Sequence, residues 1–496
     1  MHPLLATVVS PITKHNSATD KTDTGMDLHT FAICDLRSIK FSDLAHKSAC
    51  KKQFPTSRLQ LKMVGVRVLE VSRVAVQPGP YPAPGETVQL SFLDSIWVSL
   101  PHVQRLFLYP NTADVSFSDI VGFLKSSITR ILPFFHPFSG KLTYIPSAAR
   151  AIIDCSASAI CEGITFIEAE SDLNIHLIAT NEVHDLKSFV QLVPNISVPE
   201  LPTEVLAVQV TRFLSGGVAL GIAVHHTVAD GKGLWQFIAA WASICRTGSM
   251  PSGLTPVHDR ALIEYPGGDE VAVQFTRKMS PALPKTKAPV YSIQERMRLT
   301  RRTFLLNAST IKSWKEHAIH ENPSTFVSIS ARLLMTIASV RGLADDNSPF
   351  IAAFLSDCRP RLDPPISDGY TGNCVSYCFA WMTASEVAGP GGFVRACVAL
   401  KEAIRKATED PLAGCEGWAD EFLKLPPGRV VYLAGSPRFN AYETDFGWGR
   451  PDRVELASMN HDGEVVMVRG KEEGTVQVSV ALHAQHMDAF AQRILS

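Results

Sequence analysis

The sequence lacks paired cysteine motifs, apolar runs of membrane-spanning length and an excess of charge of either sign. None of its ten cysteines belongs to a CxxC pair, and the closest two, Cys374 and Cys378, have no second pair with which to form a zinc site. We therefore predict reduced thiols in a cytoplasmic protein. No apolar run approaches the roughly 20 residues that cross a bilayer, and the first residues carry no secretory signal, so we expect no membrane association.

The charge of the chain is nearly balanced, with 47 Lys and Arg residues against 48 Asp and Glu residues and a net charge of -1. A chain of this kind has no broad cationic surface for nucleic acid or for an anionic membrane. A local basic patch is still compatible with an anionic co-substrate. We therefore expect small-molecule partners, and we expect a monomer.

The character of the sequence changes at several points that we interpret as domain boundaries. Residues 1–62 are rich in Ser, Thr, Lys and Asp and show little periodicity, which predicts a disordered N-terminal extension. An alternating, strand-like run begins at Met63, and we place an N-terminal domain at 63–260. Turn signals dominate 261–296, where we expect a crossover loop, and a C-terminal domain follows at 297–496.

Hydrophobic periodicity predicts several individual elements. Leu206–Leu214 and Val218–His225 are strand-like runs joined by a Ser-Gly-Gly turn, which together predict a hairpin. Leu234–Cys245 has apolar residues at helical spacing and predicts an amphipathic helix, as does Thr325–Val340. The stretch 250–296 carries many Pro and Gly turn signals, and we expect a loop there.

A histidine pair lies between the second of these strands and the helix, in the run HHTVADG. A histidine at a strand end is often directed into a cleft, and an imidazole accepts a proton at neutral pH. Spacing alone does not choose between His225 and His226, while Asp230 and Gly231 are suited to closing the turn. A structural histidine is the competing interpretation, because the pattern fixes only three letters. No HExxH motif and no Asp/His/Glu cluster accompanies the pair, so no metal site is predicted.

A second motif, DFGWG at 445–449, specifies five letters and includes a tryptophan. Together with HHTVADG it resembles the motif pair of the plant BAHD acyltransferases, and the resemblance extends from Met63 to the C-terminus. The runs LSFLDSIWVSLPHVQRLFLYP (90–110), DCRPRLDPP (357–365) and YTGNC (370–374) support it. The chain looks most like the subgroup that acts on anthocyanin and other flavonoid or phenolic glucosides.

The resemblance implies a mixed α/β fold of two chloramphenicol-acetyltransferase-like domains, each a mixed sheet with flanking helices, with a channel between them. It implies an O-acyltransferase with acyl-CoA as co-substrate and no bound cofactor. The acceptor would be a hydroxyl of a phenolic glucoside, and we expect malonyl-CoA as donor, with p-coumaroyl-CoA next. Because no motif serine or cysteine lies beside the base, we expect direct transfer in a ternary complex.

The resemblance also implies roles for single residues. His226, the second histidine of the pair, corresponds to the general base. Asp230 corresponds to an aspartate that supports the site by pairing with an arginine, for which Arg359 and Arg361 are the candidates. One departure from the related glucoside-acylating enzymes is Thr371, which stands where they usually have an aromatic residue, so we expect a different pocket lining there.

The DFGWG run corresponds to a loop that the family uses to keep the CoA site intact. In this chain the loop comprises Phe446, Gly447, Trp448 and Gly449 after Asp445. The two glycines allow a tight turn, and Trp448 is suited to filling an apolar gap between domains. Its indole N–H is one candidate oxyanion donor. Asp445 is a candidate second proton acceptor, although loop carboxylates more often cap backbone N–H groups.

Several alternatives share part of this pattern. Peptide-synthetase condensation domains and chloramphenicol acetyltransferase-like enzymes carry HHxxxDG, but DFGWG near the C-terminus belongs with the BAHD family. Within that family, a hydroxycinnamoyltransferase that acylates another alcohol, or an amine, stays open. A catalytically silent binding homologue is the alternative of another class, and the intact His226 and Asp230 argue against it.

Overall fold

The computed structural model describes residues 65–76, 87–112, 114–196, 199–286 and 292–495. The segment 1–62, for which we predict a disordered extension, lies outside the described residues. Within the described ranges, no helix is both long enough and apolar enough to span a bilayer.

The described residues form strands and helices that are interspersed along the chain. In chain order the strands are β1 (Val66–Val74), β2 (Val88–Gln89), β3 (Val103–Tyr109), β4 (Lys141–Ile145), β5 (Arg150–Asp154), β6 (Ile164–Ser171), β7 (Thr203–Glu204), β8 (Leu206–Phe213), β9 (Val218–Val224), β10 (Leu299–Leu306), β11 (Pro349–Asp357), β12 (Val375–Thr383), β13 (Val430–Gly435), β14 (Arg453–Leu456), β15 (Glu464–Arg469) and β16 (Val476–His483).

The α-helices range from single turns to 18 residues. In chain order they are α1 (Phe92–Ser95), α2 (Phe117–Ile131), α3 (Ala157–Ile160), α4 (Ile175–Thr180), α5 (Leu186–Gln191), α6 (Gly231–Thr247), α7 (Gly268–Met279), α8 (Ile293–Arg296), α9 (Ala308–His317), α10 (Thr325–Val340), α11 (Ala384–Ala388), α12 (Gly392–Glu409), α13 (Trp418–Leu423) and α14 (Ala484–Ile494).

These strands form two large mixed sheets and one small one. The first sheet has the order β1-β6-β8-β9-β3-β14, and the second has the order β10-β16-β15-β13-β11-β12. A smaller sheet, β2-β5-β4-β7, accompanies the first. Most neighbours are antiparallel, but β6 with β8, β11 with β13 and β13 with β15 run parallel. The mixed α/β fold that we expected is therefore present.

Each large sheet is covered by helices that bury an apolar stripe against it. The first core joins α2 and α6 to one face of the first sheet, and the second core joins α10, α12 and α14 to the second sheet. Helix α6 shows why the sequence folds in this way. Its buried residues Leu234, Phe237, Ile238 and Trp241 recur at helical spacing.

Most elements predicted from periodicity are confirmed. The hairpin is formed by the antiparallel pair β8 and β9, and the helix predicted at Thr325–Val340 has these bounds in the structure. The expectation of a loop throughout 250–296 is wrong, because α7 occupies Gly268–Met279. Its buried side chains Val271, Ala272 and Phe275 recur at helical spacing, a signal that the preceding Pro-Gly-Gly turn obscured.

Candidate active site

The turn between β9 and α6 carries both histidines of the HHTVADG run, and the structure distinguishes between them. His225 is fully buried, and its Nδ1 lies 2.9 Å from Thr227 Oγ1 and accepts the backbone N–H of that residue. His226, by contrast, is partly exposed. Of the two imidazoles, only that of His226 retains access to a substrate.

The His226 ring is held from two sides. The indole of Trp97 stacks on it with ring centroids 3.8 Å apart and an interplanar angle of 16°. At its edge, His226 Nδ1 lies 3.1 Å from Asn373 Oδ1. Stacking and hydrogen bonding together fix the plane and the rotation of the imidazole.

The orientation of the Asn373 amide determines which tautomer His226 adopts. Asn373 Nδ2 donates to Asp94 Oδ1 at 2.7 Å and to the backbone carbonyl of His226 at 2.9 Å. Both partners are acceptors, so the amide nitrogen must face them and Oδ1 must face the ring. Because Oδ1 only accepts, His226 Nδ1 carries the hydrogen. The lone pair of Nε2 is then available for a substrate proton.

The protonation equilibrium of His226 also favours a base. Burial lowers the pKa of this imidazole below its usual 6.5, while the charges of Asp230 and Asp94 and the hydrogen bond that Nδ1–H donates to Asn373 Oδ1 oppose that shift. The ring is therefore neutral near pH 7, which is the state a general base requires.

Asp230 connects this turn to the rest of the site and is itself 2% exposed. Its Oδ1 accepts the backbone N–H of Gly233 at 2.9 Å and so caps the N-terminus of α6. Its Oδ2 accepts the backbone N–H of Cys374 at 3.0 Å and lies 2.9 Å from Arg359 Nη2. Of the two candidate partners, the structure therefore pairs Asp230 with Arg359. Arg361 instead donates to Ser356 and to the backbone.

A second buried ion pair was not predicted from the sequence. Asp94 is fully buried, and Arg260 Nε lies 3.3 Å from its Oδ2. Arg260 Nη2 also donates to the carbonyl of Val228 in the histidine turn, at 2.8 Å. Asp94 lies in the LSFLDSIW run, so the resemblance marked its surroundings, but nothing in the sequence indicated that Asp94 contacts Asn373.

The DFGWG loop lies at the other end of α6. Asp445 accepts the backbone N–H groups of Gly447 and Gly449, at 2.8 and 3.1 Å, and its nearest cation is Arg246, 3.9 Å away. Both glycines have positive φ, which a side chain would disfavour. Arg246 follows the first residue of α6 by 15 positions, a rise of about 22 Å. The structure therefore does not bring Asp445 to His226.

The aromatic residues of this loop are buried in the first core. Trp448 is 1% exposed and stacks on Phe446, and Phe446 meets Trp241 of α6 edge to face at 4.9 Å. The indole N–H of Trp448 has no partner among the described residues, but it lies beside the distal half of α6. The structure thus places it with the core and not with the base.

Thr371, at which we expect a different pocket lining, is hydrogen-bonded within the protein. Thr371 is fully buried, and its Oγ1 lies 2.7 Å from His258 Nδ1. His258 Nε2 lies 2.8 Å from the carbonyl of Phe134, to which it donates. The threonine hydroxyl therefore joins the YTGNC run to the segment that follows α6.

A family model, the sequences of known proteins and solved structures were each compared with this chain, and each comparison found similar proteins. A model of the Transferase family matches residues 69–495. The chain is similar to phenolic glucoside malonyltransferase 1 of Arabidopsis thaliana, at 29% identity over 454 residues, which cover 85% of this chain and 96% of the relative. Agmatine coumaroyltransferase of the same plant is 28% identical over 451 residues, covering 86% and 98%. Among solved structures, vinorine synthase superposes with a TM-score of 0.67 at 21% identity, covering 86% and 96%, which shows a shared fold.

Proposed function

This chain belongs to the Transferase family of BAHD acyltransferases, and from that premise we propose that it transfers an acyl group from a CoA thioester to a hydroxyl of a phenolic glucoside. The name of the similar malonyltransferase supports both the acceptor class and malonyl-CoA as the preferred donor. The observation that carries the proposal is the partly exposed His226, held as the tautomer with a free Nε2 lone pair.

In the proposed reaction, acyl-CoA and acceptor meet in a channel between the two large sheets. His226 Nε2 takes the proton of the acceptor hydroxyl as the oxygen attacks the thioester carbonyl. The tetrahedral intermediate then expels the CoA thiolate, which receives the proton from the imidazolium. One ester bond forms, one thioester bond breaks, and the imidazole returns to its neutral state.

The surroundings of the base argue against a covalent acyl-enzyme. Cys374 directly follows Asn373, but it is buried and donates its backbone N–H to Asp230. A hydrogen bond with Cys358, together with burial, raises the pKa of the Cys374 thiol well above its usual value, so no thiolate forms. Direct transfer in a ternary complex is therefore the mechanism we propose.

The first test is replacement of the base. His226→Ala is expected to lower kcat by at least about 100-fold, the contribution of a typical general base, with a native melting temperature. The matched control is His176→Ala, which removes an exposed histidine on α4 and is expected to retain activity. Near-normal turnover of His226→Ala would remove the base from the proposed mechanism.

A second acceptor class is favoured by one observation, the similarity to a coumaroyltransferase that is named for the amine agmatine. A competition between malonyl-CoA and p-coumaroyl-CoA, each with a flavonoid glucoside or with agmatine, separates the two possibilities. Release of free CoA thiol in any of these assays separates an enzyme from a silent binding homologue. The free thiols of the eight described cysteines support the cytoplasm as the compartment of the reaction.

A further inference from the structure

One buried arginine differs from all the others in the described structure. Arg105 on β3 is 6% exposed, yet no hydrogen bond or ion pair joins its guanidinium to any described residue, and its Nε is completely enclosed without an acceptor. The other buried arginines each donate to a carboxylate or a backbone carbonyl: Arg260, Arg301, Arg359 and Arg453. An unpaired buried guanidinium is costly, which indicates that its partner is a ligand.

A second unpartnered donor lies next to it. The guanidinium of Arg105 is 5.4 Å from the ring centroid of Trp235 on α6, in a cation–π arrangement. The indole Nε1 of Trp235 is also buried without an acceptor. Two adjacent donors that both lack acceptors are suited to a small anionic group.

On β3, Arg105 shares a face with Phe107, which packs against Trp235 of α6, so Arg105 lies on the face of the first sheet that α6 covers. Leu456 of β14 is its cross-strand partner, and Val103 precedes it on the same face. Both contact an apolar cluster that includes Val466 of β15 and Ala434 of β13, which belong to the second sheet. Arg105 thus lies in the first core, next to the apolar cluster that joins the two large sheets.

The pairing of β3 with β9 shows how near Arg105 lies to the base along the neighbouring strand. Its partner on β9 is Ile222, and His226 follows Ile222 by four residues, at most about 13 Å along an extended chain. An acyl group attacked beside His226 therefore has Arg105 on the neighbouring strand.

We propose that Arg105 binds the free carboxylate of a dicarboxylic acyl donor such as malonyl-CoA and thereby selects the donor, an inference that rests on the proposed transferase function. In malonyl-CoA this carboxylate lies one methylene beyond the thioester carbonyl, whereas acetyl and p-coumaroyl groups carry no anion. Burial lowers the pKa of Arg105 to about 10, while the charge of Glu455 opposes that shift, so the guanidinium remains charged at neutral pH.

The experiment compares kcat/KM for malonyl-CoA and acetyl-CoA in the wild type and in Arg105→Gln. We expect the wild type to prefer malonyl-CoA and the variant to lose about 100-fold with malonyl-CoA, the scale for removing one partner of a buried charge pair. Its kcat/KM for acetyl-CoA should stay within about threefold of the wild-type value. Arg277→Gln, at an exposed position on α7, is the matched control and should change neither value.

A stability measurement distinguishes ligand binding from a structural role. Because the Arg105 guanidinium has no acceptor among the described residues, Arg105→Met should melt no lower than the wild type without ligand, and malonyl-CoA should raise the melting temperature of the wild type alone. An equal loss with both donors, or a lower melting temperature of Arg105→Met, would overturn the inference. So would a wild type that transfers acetyl but not malonyl groups, although the transferase function would stand. If the wild type transferred an acyl group from no CoA thioester, both the proposed transferase function and the role of Arg105 would be wrong.

Discussion

At the scale of single residues, the basicity of His226 depends on a chain of hydrogen bonds that begins at Asp94. The carboxylate of Asp94 orients the Asn373 amide, and the amide oxygen keeps the hydrogen on His226 Nδ1. Asp94 is in turn neutralised by Arg260. Asn373 is therefore a positioning residue, and it acts on the reaction through the tautomer and the pKa of the base.

This arrangement predicts the behaviour of Asn373→Ala. Without the amide oxygen, the imidazole samples the wrong tautomer, so kcat should fall about tenfold or more while KM changes little. The hydrogen bond that His226 donates to Asn373 Oδ1 raises the pKa of His226, and its loss should move the acidic limb of the kcat profile to lower pH. Steady-state kinetics from pH 5 to pH 8 measure both effects.

The direction of the pH shift distinguishes a positioning role of Asn373 from a general disturbance of the structure. In the wild type, burial lowers the pKa of His226, so activity should hold down to pH 6.5 and fall only below it, as the base becomes protonated. Ser126 lies on an outer turn of α2, and Ser126→Ala is a suitable control that should reproduce this profile. If Asn373→Ala lost activity equally at every pH and showed a raised KM, the positioning role would be wrong.

At the scale of elements, the backbone at the N-terminus of α6 lies in direct contact with the backbone of the YTGNC run. A Cβ placed on Gly233 would lie 2.1 Å from the carbonyl oxygen of Thr371, far closer than real atoms approach. Gly233 also donates its N–H to Asp230. The close approach is what brings Asn373, two residues after Thr371, to the base.

Gly233→Ala should therefore disturb stability and turnover together. The new methyl meets a backbone oxygen, so the YTGNC run must move away from α6, and we expect a melting temperature lower by at least about 3 °C, with a loss of kcat. Gly122→Ala on α2 is the matched control, since a Cβ there meets nothing within 4 Å. Alanine is the better helix former, so this control should be neutral or slightly stabilising. A fully active Gly233→Ala of unchanged melting temperature would contradict the packing account.

At the scale of the whole molecule, the sequence predicts contacts between residues that are near one another along the chain, but not contacts between residues that are far apart along it. The HHTVADG turn was predictable because a strand, a turn and a helix adjoin one another within about 20 residues. Asn373 contacts Asp94 across 279 positions and His226 across 147, and no periodicity signals contacts of that separation. The resemblance marked the runs that contain these residues, but only the fold shows that they meet.

The DFGWG loop is another feature that only the whole fold explains. The loop follows β13 of the second sheet and precedes β14, which pairs with β3 at the edge of the first sheet. The chain therefore crosses from one sheet to the other through this loop. Tyr109 of β3 holds the crossing by donating its hydroxyl to the carbonyl of Thr444, and Trp448 packs edge to face against the same tyrosine.

Substitutions in a loop that connects the two sheets should change the free energy of unfolding more than kcat. Trp448→Ala removes a fully buried indole and should lower the free energy of unfolding by about 3–5 kcal/mol, while the protein that remains folded keeps its kcat. Asp445→Asn should keep kcat within about twofold, because Asp445 binds loop amides some 20 Å from the base. Denaturant unfolding and single-turnover kinetics on the same preparations measure the two effects separately. If Asp445→Asn lost as much kcat as His226→Ala, Asp445 would be a catalytic residue. A residue with only a structural role in the loop should not affect kcat in this way.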